Sequence, residues 1–213
     1  MCIRDRPQWS DGSKKLARAG ADVRALDILS DDSIYECVDR LQSDYSHIDV
    51  VINCIGILHE RNIQPEKQLK QIKRASLHRV FDSNAFGHII LIQALELLLS
   101  KAETFTCISV SARVGSISDN QLGGWYSYRA SKAALNMLLK TLSVEFERKY
   151  PNQSKVLALH PGTTDTQLSK PFQNNMSWKL YSPEETAKNL LDVIHNAEDT
   201  GQFLAFDHST IPF

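Results

Sequence analysis

Tyr128 and Lys132 stand four residues apart in the stretch GGWYSYRASKAALN, residues 123–136. On a helix this spacing stacks both long side chains on one face, one turn apart. A phenol ionises near pH ~10, and a neighbouring ammonium stabilises the phenolate and lowers that value. So tuned, a tyrosine can give a proton to a carbonyl oxygen or take one from an alcohol. The alanines around the pair keep the face low, so that something can approach the backbone closely. The spacing alone is weak, because an exposed pair in the first turn of a helix satisfies it equally well.

The neighbouring residues narrow the choice. CISVSARVGS (107–116) places serines at the end of an apolar run. Their hydroxyls could hold the same substrate oxygen, or serve only as turn residues. Asn84 lies inside an otherwise apolar helical segment, where an amide is either solvent-facing or functional. Gly56 closes the run DVVINCIG and would let a ligand come close to the backbone. Pro161 and Gly162 in HPGTTDT enforce a turn, as plain loop residues also would. Ser111 with His160 could form a hydrolase pair, but no GxSxG elbow surrounds the serine.

The elements that must position these residues are legible as alternating runs. VRALDI (23–28), DVVINCIG (49–56), FTCISVS (105–111), KVLALHPG (155–162) and GQFLAF (201–206) are continuously apolar, as in strands covered on both faces. Helical segments lie between them. DDSIYECVDRLQSDY is expected to be capped by Asp31 or Asp32, and SPEETAKNLLDVIHNA by Ser182 with Pro183 at the first helical position. Alternation of this kind predicts a doubly wound, mostly parallel α/β sheet in one domain over residues 1–213. Ligands bind beyond the C-terminal ends of such strands, where the residues named above fall.

The 213 residues carry a net charge of −1, which favours neither nucleic acid nor an anionic membrane as partner. No apolar run is long enough to span a bilayer. Cys2, Cys37, Cys54 and Cys107 are scattered without metal-ligand or disulfide spacing, which fits a reducing, cytoplasmic setting and no metal.

DVVINCIG, SARVGSISDNQLGGWYSYRASKAALNML, HPGTTDTQLSKPF and GQFLAFD together resemble the short-chain dehydrogenase/reductase family, in its carbonyl-reductase or C-factor-like branch. The likeness runs from about residue 20 onward. It implies a Rossmann-like sheet and an NAD(P) cofactor, with NADP favoured. Tyr128 would be the catalytic acid/base, and Lys132 would lower its pKa and hold the nicotinamide ribose. Asn84 would anchor a water leading from the lysine to solvent. Asp27 and Ile28 would contact the adenine, and Asn53 and Gly56 would line the adenosine ribose. Pro161, Gly162, Thr164 and Thr166 would bracket the carboxamide and pyrophosphate. The family's catalytic serine stands three residues before the glycine, where this chain has Ala112, so the role passes to Ser111 first and to Ser116 second.

A second departure concerns the front. The family's first strand, glycine-rich loop, first helix and second strand have no counterpart in MCIRDRPQWSDGSKKL, and residues 1–19 are expected to be irregular. Two core strands missing would leave the DVVINC run without one ladder partner unless VRALDI docks directly against it. The resemblance thus implies an oxidoreductase acting on a small carbonyl or alcohol compound, with activity of this chain in question. Leu168, Phe172, Met176, Trp178 and Leu180 would form an apolar substrate wall or a lid packed on its own domain. The alternative is a non-catalytic interaction module, in which the long helices near 75–100 and 124–150 pair two copies as a homodimer.

Overall fold

A computed structural model describes residues 2–4, 11–174 and 178–213. In chain order the elements are β1 (Cys2–Arg4), α1 (Asp11–Arg18), β2 (Val23–Ala25), α2 (Asp31–Asp44), β3 (Val50–Asn53), α3 (Arg74–Phe81) and α4 (Gly87–Leu99). There follow β4 (Phe105–Val110), α5 (Tyr126–Lys149), β5 (Ser154–His160), β6 (Thr163–Thr164), β7 (Leu180–Tyr181), α6 (Pro183–Asn196) and β8 (Gln202–Ala205). Strands β3, β4, β5 and β8 form a parallel sheet in that order.

Alternation along these strands divides the core. Phe105, Cys107, Val156, Ala158, Phe203 and Ala205 face α2, α4 and α5. Ile108, Leu157, Leu159 and Leu204 face Val193 of α6 and Ala197 just beyond it. Helices therefore cover both faces of β4, β5 and β8, which is why these strands read as unbroken apolar runs. Val50 and Ile52 of β3 are left exposed on the α6 side. Helix α6 starts as expected: Ser182 accepts from the Glu185 amide at 3.1 Å, and Glu185 accepts from the Ser182 amide at 2.9 Å. Helix α2 differs by one residue. Ser30 is its cap, accepting from Ser33 N at 3.3 Å, and Asp31 and Asp32 fill the first turn, where the helix dipole favours acids.

The front end corrects the expectation of irregular chain. Lys14, Lys15, Leu16, Ala17 and Arg18 are strong helix formers and lie in α1. The helix closes on Gly20 at φ 88°, with Gly20 N–H donating to Ala17 O (3.0 Å) and Ala21 N–H to Leu16 O (3.1 Å). A strand also precedes VRALDI, since β1 pairs in parallel with β2 and gives its backbone groups a ladder partner.

VRALDI does not dock against β3. Only Val23–Ala25 are extended in a ladder, after which Leu26 and Ile28 turn into the core at 2% and 4% exposure. A Cβ on Gly87 would stand 2.4 Å from Ile28 Cγ1, so that glycine seats the isoleucine against the start of α4. Among the described residues no strand flanks the outer edge of β3, where Val50 and Ile52 are 50% and 44% exposed. None of the described helices is long and apolar enough to cross a membrane.

Candidate active site

Tyr128 lies in the first turn of α5, and Lys132 follows one turn deeper, both buried. The Lys132 ammonium donates to Val110 O at the end of β4, at 2.9 Å. Gly115 explains how the loop after β4 comes so near. A Cβ there would lie 2.8 Å from Lys132 Cβ and 2.9 Å from the Lys132 carbonyl carbon, so only glycine fits against the helix. On the other side a Cβ on Gly56 would stand 3.4 Å from both Lys132 Nζ and Asn84 Oδ1. Ammonium, amide and a bare stretch of backbone thus meet beyond the carboxyl ends of β3 and β4.

Three side chains hold the segment after β3 in place. Asn53 Oδ1 accepts from Ile55 N (3.0 Å), and His88 Nε2 binds Ile55 O (2.8 Å). Burial pushes His88 down to about 3, so its ring is neutral and donates through Nε2. Asn84 grips Ile57 by both backbone groups, accepting from its N–H at 2.7 Å and donating to its carbonyl at 2.8 Å. Its amide also donates to Ser131 Oγ (3.1 Å), which in turn donates to Tyr128 O (2.8 Å). Asn84 belongs to a π-helical turn, Asp82–Phe86, between α3 and α4. This wider turn is how an amide sits fully buried within an apolar helix, rather than facing solvent. With both amide protons committed, only a lone pair of Oδ1 is left for the water that the resemblance implies.

The electrostatics depart from the expectation for Tyr128. Burial raises the phenol to about 12, and burial lowers the Lys132 ammonium to about 8. Loss of solvent around the phenol causes the rise, and the ammonium is bonded to Val110 O instead, so Tyr128 is a protonated acid at neutral pH.

The serines also separate. Ser111 is buried and donates to Asn136 Oδ1 at 2.6 Å, two helical turns beyond Tyr128. Ser116 accepts from Asp119 N at 3.2 Å, leaving its own proton without an acceptor among the described residues. Ala112, three residues before Gly115, is half-buried and has no hydroxyl.

Of the other expected residues, Gly56 lies against Lys132 rather than apart from it as an adenosine ribose contact would, and the Asn53 Nδ2 at the end of β3 is buried with no partner among the described residues. Gly162 has φ 72°, and a Cβ there would meet Phe206 at 3.0 Å. Thr164, in β6, pairs with Thr186 (2.9 Å), and Thr166, just after β6, donates its N–H to Ser169 Oγ at 3.3 Å. Asp27 is exposed and accepts from Leu29 N (3.0 Å) in a turn after β2. The Ile28 side chain is committed to the core rather than turned toward a ligand.

Sequence reasoning named Phe172 but passed over Trp125 and His59, which form an aromatic cluster with it beside Tyr128. Trp125 packs edge-on against Tyr128 (6.1 Å) and Phe172 (5.2 Å), and His59 packs against Phe172 (5.8 Å). His59 Nε2 also reaches Gln167 O and Leu168 O, each at 3.2 Å, tying the β3 loop to the loop after β6. Trp125 could have been found from its place directly after two glycines, and His59 from its place three residues beyond Gly56. Trp178 is 62% exposed and donates to Thr163 Oγ1, while Leu180 pairs in β7. Met176 lies outside the described residues, and the lid segment shows a single 3-10 turn, Lys170–Phe172, among those described.

The residues present fit the nicotinamide riboside end of a dinucleotide: the buried Lys132 ammonium and the glycine backbone at 56 converge, and Asn53, three residues earlier, keeps an orphaned amide. Before Gly123 the chain has only isolated glycines, so nothing there matches a glycine-rich diphosphate cradle. Among the described residues no group of three His, Cys, Asp or Glu side chains could hold a metal ion.

Residues 3–211 match the profile of the family described as Enoyl-(Acyl carrier protein) reductase. The chain is 31% identical over 192 residues to the 1-hydroxy-2-glutathionyl-2-methyl-3-butene dehydrogenase of Rhodococcus sp., covering 88% of this chain and 79% of that one. It is 30% identical over 147 residues to the C-signal protein of Myxococcus xanthus, covering 68% and 83% respectively. The NADPH-bound carbonyl reductase from chicken fatty liver superposes with a TM-score of 0.83 at 23% identity, over 100% of this chain and 86% of that one, a likeness of fold. With a family profile spanning almost its whole length and a Rhodococcus dehydrogenase as relative, the chain belongs to the short-chain dehydrogenase/reductase family.

Proposed function

We propose that this chain is an NAD(P)-dependent oxidoreductase of the carbonyl-reductase type, with NADP the favoured form. The observation that supports this most directly is the buried Lys132 ammonium between Val110 O and Gly56, with the Tyr128 phenol one turn away. Lys132, Asn53 and the backbone at Gly56 would hold the nicotinamide riboside, and Pro161, Gly162, Thr164 and Thr166 would border it. The cofactor supplies hydride chemistry when bound.

Tyr128, kept protonated by burial, gives its proton to the substrate oxygen in the reductive direction. The donor that orients this oxygen is assigned to Ser116 rather than Ser111, because the Ser111 proton is already given to Asn136. Trp125, Phe172 and His59 exclude water around Tyr128 and favour flat, apolar carbonyl compounds. Tyr128→Phe tests the reading. Turnover of an aromatic aldehyde with NADPH is expected to fall by about 10²-fold or more while nicotinamide fluorescence still reports binding. A Phe variant with undiminished turnover overturns it.

A second reading is favoured by a different observation. Phe86 and Leu97 along the α4 segment, and Met137 and Val144 of α5, are 44–66% exposed, an apolar surface suited to a second copy. Sedimentation would detect such a homodimer, and dimerisation without nicotinamide binding would favour an interaction module over an enzyme.

A further inference from the structure

Helix α5 carries the acid, yet it begins without a cap of its own. Trp125 at the cap position is left-handed (φ 50°) and offers no side-chain acceptor. The first amides of a helix have no partner within it and must be satisfied from elsewhere. Here the Ser127 amide is satisfied by a residue 61 positions earlier in the chain. The Glu66 carboxylate accepts from Ser127 N at 3.1 Å and from the Ser127 hydroxyl, and the Glu66 carbonyl accepts from Trp125 N. Gly124 permits the approach: its φ is 67°, and a Cβ there would stand 3.4 Å from Glu66 O.

Glu66 is 4% exposed and, among the described residues, has no cationic partner. A buried carboxylate is costly unless it is hydrogen-bonded, and these bonds, with the positive end of the helix dipole, provide the compensation. Lys132 does not depend on them, since it is fixed a turn deeper by Val110 O and by the close approach of Gly115. Tyr128 adjoins Ser127, in the turn that frays first when a cap is lost.

We propose that Glu66 is a positioning residue for Tyr128: by clamping the first turn of α5 it fixes the phenol relative to Lys132. The inference rests on the reductase reading for its catalytic consequence and on the hydrogen bonds alone for its structural one. Glu66→Ala removes the two side-chain bonds to Ser127 and leaves the carbonyl bond from Trp125 N. Glu66→Gln keeps the shape of the clamp, because the amide oxygen can accept from Ser127 N while its NH2 donates to a reoriented Ser127 hydroxyl.

In Glu66→Ala, amide hydrogen exchange at residues 127–129 is expected to accelerate by about tenfold or more, with the amides of 142–149 unchanged. The value of kcat is expected to fall by about tenfold or more at unchanged KM for NADPH, and Glu66→Gln is expected to restore most of both effects. Unchanged exchange in Glu66→Ala, a parallel change in nucleotide KM, or a Gln variant no better than Ala each overturns the proposal. A parent chain without turnover refutes the reductase reading alone, and the exchange rates then decide on Glu66.

Discussion

Replacing Lys132 by Met tests whether the ammonium is held at the site at a cost to folding. Burial lowers its pKa from 10.5 to about 8. A shift of that size corresponds to roughly 3 kcal/mol of differential stability between protonation states. Below about pH 8 the ammonium is charged in both the folded and unfolded chains, so the parent bears the full cost. Between about pH 8 and 10.5 the folded chain releases its proton first. The unfolded state then binds more protons, and the parent gains stability as pH rises. Met has similar length and no charge, and it leaves Val110 O without its donor at every pH. That loss sets a constant offset of ~1–3 kcal/mol between the two chains. Cys54 interacts electrostatically with the ammonium, so both chains carry Cys54→Ser; the remaining titrating groups are then shared, and urea denaturation from pH 7 to about 10.5 isolates the lysine. The parent is expected to gain about 3 kcal/mol on the variant over that range, nearly all of it above about pH 8. A gap that stays constant over the whole range would refute the burial argument.

Other expectations follow from neighbouring residues. Ser111→Ala should cost about 1 kcal/mol of stability by stranding Asn136, with kcat little changed, whereas Ser116→Ala should lower kcat; equal kcat losses in the two variants would remove the assignment to Ser116. Gly115→Ala should destabilise by ~1–3 kcal/mol, read by thermal melting, since the new methyl collides with the Lys132 backbone and Cβ. Reduced nicotinamide mononucleotide should bind within about tenfold of NADPH, because the residues that fit a dinucleotide lie at the nicotinamide end; a gap much above tenfold would show that the adenylate half is gripped as well.

The parts of this protein that local rules govern were readable in the chain. The Tyr128–Lys132 spacing placed both groups on one helix face, and Ser182, Pro183 and Glu185 announced the start of α6. The apolar runs marked the strands to within a few residues because both faces of β4, β5 and β8 are covered. What escaped depends on distant contacts. Nothing around Glu66 signals a cap for a helix that begins sixty residues later. The direction of the Tyr128 shift turns on burial, and spacing carries no measure of burial. The serine spacing named Ser111 and Ser116 as candidates, but Asn136, on another element, takes the Ser111 proton. The short strand at Cys2–Arg4 has no period to detect and exists through its pairing with Val23–Ala25.

The bare rim of β3 has a consequence for handling the protein in concentrated solution. Val50 and Ile52 present β-branched side chains beside main-chain donors and acceptors that no neighbouring strand covers among the described residues. Such a rim is a template onto which any extended, apolar peptide can zip, and two molecules meeting rim to rim would nucleate an insoluble ribbon. The same groups that make the sheet continuous on its β4 side therefore set a ceiling on the concentration at which single molecules persist.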